Sequence, residues 1–117
     1  MKQIIEKEKY HYLKTKRGRV PVVTFCVIKQ GKEYARGFSV LSLRDKLDLK
    51  EGKRHARGSA LQALGTKKSG KEVIRGDALD TLDLVDITTY KTGKRLYKAQ
   101  YNPFLTKKEK ELLGVDL

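Results

Sequence analysis

Four aspartates, Asp77, Asp80, Asp83 and Asp86, recur every third residue, and carboxylates gathered on one helical face hold magnesium in many nucleases. No histidine accompanies them. The same spacing makes a solvated acidic face that moderates self-repulsion in a basic domain, and it is read that way, with a metal-dependent nuclease as the third-ranked alternative. Gly65-Thr66-Lys67-Lys68-Ser69-Gly70-Lys71 has the spacing of a phosphate-cradling P-loop. It lacks the magnesium-ligating Ser or Thr, since Glu72 follows, and the element before it reads as a helix where a strand is required. It is therefore taken as a basic loop. The two histidines, His11 and His55, have no cysteine or carboxylate at metal-ligand spacing, and the single cysteine, Cys26, lies inside the apolar run 22–28. Cys26 is expected to be a buried strand thiol, with no disulfide framework or multi-cysteine metal site. No catalytic residue, cofactor or metal ligand follows from these sets, so binding rather than catalysis is expected.

The basic residues carry a clearer pattern. Lys50, Lys53, Arg54 and Arg57 recur at steps of three and four, which places them on one face of a helix. Arg36 and Arg44 flank this region in sequence, and Lys67, Lys68 and Lys71 follow it in the loop. Residues 50–75 hold eight basic side chains against Glu51 and Glu72 alone, so the usual acidic partners of a solvated helix are missing. Across 117 residues, 27 Lys and Arg against 14 Asp and Glu leave a formal charge of +13. Such a surface attracts phosphate, and the expected function is binding of nucleic acid, DNA or RNA, mainly through its backbone and with little sequence preference. The ligands would be Arg36, Arg44, Lys50, Lys53, Arg54, Arg57, Lys67, Lys68 and Lys71. Tyr10, Tyr12, Tyr90, Tyr97 and Tyr101 lie in strand-like segments among these cations, where aromatic rings could stack on unpaired bases or pack into the core.

The elements that must position these residues are legible from periodicity. Residues 10–16 and 20–29 read as a hairpin around Arg17-Gly18-Arg19, with Pro21 at a first strand position and residues 22–28 apolar in both parities, as in a central strand covered on both faces. Residues 34–42 form a third antiparallel strand. Gly52, Ala56, Ala60, Ala63 and Leu64 then set a helical period from Glu51 to about Leu64, capped by Asp48 and ended by Gly65. The small residues of this stripe imply that the helix lies directly on the sheet. Close backbone approach or a ligand would explain Gly52 and Gly58, each costing roughly 1 kcal/mol relative to Ala. Val73-Ile74 is a short strand or connector. Residues 84–89 and 95–101 alternate around Lys91-Thr92-Gly93-Lys94 as a second hairpin. Thr106 caps a last helix, Lys107 to Leu113, with Glu109 at its third position and Gly114 at its end.

The predicted fold is α+β: one domain over residues 1–117, with an antiparallel sheet of about five strands, one main helix packed on it and a short C-terminal helix. No apolar run approaches the roughly 20 residues of a membrane span, and the first residues lack the apolar stretch of a secretory signal, so a cytoplasmic location is expected.

The stretch Ala35-Arg36-Gly37-Phe38-Ser39-Val40-Leu41-Ser42-Leu43-Arg44-Asp45, followed by Gly52, Ala56, Arg57, Ala60 and Leu64, resembles a pattern in small uncharacterised accessory proteins of Gram-positive bacteriophages and mobile elements. There an Ala-Arg-Gly strand passes through a Ser-x-x-Asp turn into a Gly-x-x-x-Ala-Arg/Gly-x-x-Ala helix. Leu41 and Leu43 stand where Cys and Pro are common in that group. The resemblance implies no shared chemistry, but it implies a phage accessory role, a class that includes host-takeover and anti-defence inhibitors such as anti-CRISPRs, acting in the host cell cytoplasm. The alternative function is therefore an inhibitor that grips a host protein or ribonucleoprotein. Being basic, it would bind guide RNA or an acidic protein patch rather than mimic DNA charge.

Overall fold

Seven consecutive buried residues, 22–28, form the middle of the strand on which the rest is assembled. The computed structural model describes residues 5–41, 46–73 and 77–115, and of residues 77–79 the backbone only. Strand β2 (Pro21–Gln30) pairs antiparallel with β1 (Lys7–Lys14) on one side and β3 (Glu33–Val40) on the other. Two later strands, β4 (Gly70–Glu72) and β5 (Tyr97–Tyr101), complete an antiparallel sheet in the order β1-β2-β3-β5-β4. Both faces are covered, which is why β2 is apolar in both parities.

Helix α1 (Leu49–Thr66) covers one face. Asp48 caps it as expected, its side chain accepting from the Glu51 amide at 3.1 Å. Ala56, Ala60 and Ala63 lie over Cys26, Ile28, Ala35 and Ala99. The approach is close enough to require glycine in the strand: a Cβ on Gly37 would stand 2.2 Å from the Ala56 carbonyl oxygen and 2.3 Å from the Ala60 nitrogen. Gly52 is explained similarly, with Thr24 Oγ1 2.8 Å from where its Cβ would lie, whereas a Cβ on Gly58 would meet nothing within 4 Å.

The other face is closed by helix α2 (Asp77–Leu82), a 3-10 turn (Thr88–Tyr90) and helix α3 (Lys107–Leu113). Leu82, Ile87, Tyr90 and Leu96 pack here on Val23, Phe25 and Phe38. Helix α3 has the capping box read from its sequence: Thr106 accepts from the Glu109 amide, Glu109 accepts from the Thr106 amide, and Gly114 ends the helix at φ 68°. Among the described residues, no helix is long and apolar enough to cross a membrane.

The architecture is the α+β one expected, and three local expectations are corrected. The second hairpin does not form: residues 84–89 run as turn and 3-10 structure, and β5 pairs with β3 and β4 instead. Asp86 accepts from the Thr88 amide, a local bond that diverts the backbone from a ladder, while Ile87 turns into the core. Helix α1 continues past Gly65, and Lys67 takes the left-handed capping position at φ 56°. The loop at 66–71 gives way early to β4, so Lys71 stands on an edge strand. The ends of the third strand and of Val73-Ile74, at Ser42 and Ile74, lie outside the described residues.

Candidate nucleic-acid interface

Arg36, expected on the surface as a phosphate ligand, is buried at 2% exposure, which corrects that assignment. Its strand position points it at the face closed by α3. There Nη1 donates to Glu109 Oε1 at 2.7 Å and to the Phe104 carbonyl at 3.2 Å, and Nε and Nη2 donate to Gln100 Oε1 at 3.1 and 2.8 Å. The guanidinium also lies 4.8 Å from the Tyr90 ring centroid. His11 Nε2 donates to the second Glu109 oxygen at 2.9 Å, its ring stacked on Phe25. Burial alone would raise the Glu109 carboxyl, but the His11 hydrogen bond and the Arg36 charge outweigh it and hold the group below its ordinary value. A buried charge is tolerable when paired and hydrogen-bonded on every side. Arg36 is thus a structural ion that ties α3 to the sheet, and Arg44 lies outside the described residues.

Helix α1 does present Lys50, Lys53, Arg54 and Arg57 to solvent, but divides them between two flanks. On the flank beside β1, Lys53 Nζ sits 5.4 Å from the Tyr10 ring centroid and Arg57 Nε donates to Glu8 Oε1 at 2.8 Å. Lys67, past the far end of the helix, is held by Glu33 at 2.6 Å. Arg54 is hydrogen-bonded to Glu51 at 2.8 and 3.2 Å, with His55 Nε2 3.4 Å from the same carboxylate. Those contacts keep Glu51 below its ordinary value, the Arg54 hydrogen bond contributing most. Among the described residues, Lys50, Lys68 and Lys71 have no carboxylate partner.

The other flank opens into a groove of about 510 Å³. It exists because β3 and β5 pair over only three residues on each strand, from Ala35/Tyr101 to Gly37/Ala99, after which the strands part beneath α1. Arg54, His55, Lys71 and Lys98 line it together with Ser59 and Gly58. Lys71 and Lys98 are cross-strand neighbours, since their flanking residues pair as Gly70/Ala99 and Glu72/Tyr97. No carboxylate is among the described residues lining the groove. Gly58, whose Cβ would meet nothing, leaves the helix backbone open to a ligand on this side.

The structure therefore joins Arg54 and Lys71 of the expected set and adds Lys98 and His55. Lys98 escaped notice in the sequence because it stands alone between Tyr97 and Ala99, and its neighbour across the strands depends on a pairing that the second-hairpin reading misassigned. The tyrosines expected to stack on bases are mostly occupied: Tyr90 is buried against Phe25, Tyr10 donates to Glu8, and Tyr101 donates to Glu33. Burial pushes the Cys26 thiol up to about 12, which removes it as a nucleophile. Among the described residues, no group of three His, Cys, Asp or Glu is placed to hold a metal ion; Asp80, Asp83 and Asp86 are exposed, and the Asp77 side chain lies outside the description. The chain matches no protein-family model, no curated protein and no solved structure.

Proposed function

We propose that the protein is a non-catalytic nucleic-acid-binding domain that takes a phosphate of the backbone into the groove between α1 and β4–β5. The observation that carries this reading is that Arg54, Lys71 and Lys98 border one groove with no acidic residue among its described lining. Arg54 offers a planar fork for bidentate contact, the two lysines offer point charges, and Ser59 is a neutral donor. Exposed ion pairs such as Arg54–Glu51 contribute little and exchange readily for a phosphate. Gly58 fits the same reading, because a glycine inside a helix costs roughly 1 kcal/mol and nothing within the protein requires it there. Lys50 and Lys53 would extend the positive field along the helix without being seated in the groove.

The test is the triple change Arg54→Ala, Lys71→Ala and Lys98→Ala, measured by fluorescence polarisation on a labelled oligonucleotide. Affinity is expected to fall by about tenfold or more, as charge-assisted contacts to phosphate are among the stronger hydrogen bonds. A control losing three charges from the β1 region at the opposite sheet edge, Lys9→Ala, Lys14→Ala and Lys16→Ala, is expected to change it much less. Equal losses would reduce the groove to part of a diffuse field. Recovery of a stoichiometric protein and no nucleic acid from host lysate would favour the inhibitor reading instead.

A further inference from the structure

Phe104 is 97% exposed, while the other exposed large apolar side chains among the described residues, from Val20 to Leu84, are half covered or more. Burying a phenylalanine is strongly favourable, so a ring left in water sacrifices stability that the fold could have used. The loop that carries it is not slack. The Asn102 amide donates to the Tyr34 carbonyl and the Tyr34 amide donates to Asn102 Oδ1, both at 2.8 Å. Pro103 fixes the next φ. The Phe104 carbonyl itself accepts from the buried Arg36 guanidinium, and the Thr106 amide two residues on is held by Glu109. The ring is thus presented from a backbone pinned to β3 on one side and to the buried ion network on the other, and little entropy is lost when something settles on it.

The charge beside it is positive. Lys107 and Lys108 are exposed immediately after the loop; Glu109 is turned inward to Arg36 and His11, which leaves Glu111, one turn further on, as the exposed carboxylate of this helix. A flat apolar ring followed within four residues by two exposed cations matches a base joined to a phosphate. Pro103 and Leu105 flank the ring directly but are partly covered, so the exposed apolar surface here is the ring itself, with Asn102, Lys107 and Lys108 the exposed polar residues nearest to it in sequence. In a duplex the base faces are already stacked, so a ring of this kind finds them free only on a single strand. Resting on the function proposed above, we propose that Phe104 is a stacking platform for an unpaired base, with Lys107 and Lys108 on the adjoining phosphate, and that the preferred ligand is single-stranded nucleic acid. Phe104 follows Lys98 by six residues, so the platform lies within about 22 Å of the groove and one strand can reach both.

The chain has no tryptophan, so Phe104→Trp places a single reporter at the site. Titration with an oligothymidylate of about 16 nucleotides is expected to quench its emission. Inorganic polyphosphate, a polyanion without bases, and a blunt duplex of equal length are expected to bind without that quenching. Phe104→Ala is expected to weaken the oligothymidylate about fivefold or more and leave polyphosphate affinity and the melting temperature unchanged, since the ring covers nothing. Oligothymidylate binding with no quenching and no effect of Phe104→Ala would overturn the platform and leave the groove standing. Equal quenching by duplex or polyphosphate would likewise overturn it. Failure of the wild-type protein to bind any of the three would overturn the nucleic-acid reading itself.

Discussion

Arg36 and Glu109 show how a charged side chain can be spent inside a molecule whose surface is crowded with charge. Their ion pair, at 2.7 Å and shared with His11 and Gln100, leaves no lone partner in the interior. Removing one member is costly in such a setting, because the other charge stays buried without compensation. Glu109→Gln is expected to destabilise the fold by about 3–5 kcal/mol in urea unfolding. The pH dependence has a definite sign. The Glu109 carboxyl titrates below its ordinary 4.5 in the folded protein, so its stabilisation is fully present above that value and is lost as pH falls through the lower folded value. Urea midpoints measured from pH 6 downward should therefore drop in the wild type and flatten in Glu109→Gln.

At the scale of elements, two glycines separate packing from ligand contact. Gly37→Ala drives a Cβ into the backbone of α1 at Ala56 and Ala60, atoms that cannot rotate away. Overpacking of this kind costs about 1–3 kcal/mol or more, and circular dichroism should show an earlier melt. Gly58→Ala has open space around the new methyl and removes a helix-weakening residue. It should raise stability by about 0.5–1 kcal/mol. If a phosphate passes close to that backbone, the same change weakens oligonucleotide binding while the protein melts later, and unchanged affinity would move the ligand off this flank. The Ala35-Arg36-Gly37 segment acquires a packing meaning here: a small residue and a glycine face α1, while the arginine between them anchors α3.

For the whole molecule, the proposed function makes the charge of +13 the source of the strength and salt dependence of association, and the placement of cations the choice of where it occurs. Affinity for a single strand should fall with salt at a log-log slope of about −0.7 per phosphate neutralised. The Arg54, Lys71 and Lys98 triple variant should shallow that slope by the equivalent of the contacts it loses, whereas Phe104→Ala should lower affinity with the slope intact. Polarisation titrations across salt concentrations distinguish the two effects, because a stacking contact releases no counterions.

The features legible from sequence were those coded by near neighbours. Asp48 and Glu51 start α1, Thr106 and Glu109 start α3, and the double-parity apolar run of β2 requires cover on both faces; each signal lies within a few residues, and each appears in the fold. The tertiary structure alone decided the partners. Charge identifies Arg36 as an ion but not that its counterion lies 73 residues away, so a buried anchor resembled a surface ligand. Alternation from residue 84 to 101 reports faces without naming the strand to be paired, and β5 joins β3 and β4 because both of its edges must be hydrogen-bonded. The groove arises for the same reason: Arg54, Lys71 and Lys98 border one opening only because the β3–β5 ladder stops at Gly37/Ala99 beside α1, an arrangement of register and helix placement that local residue order does not encode.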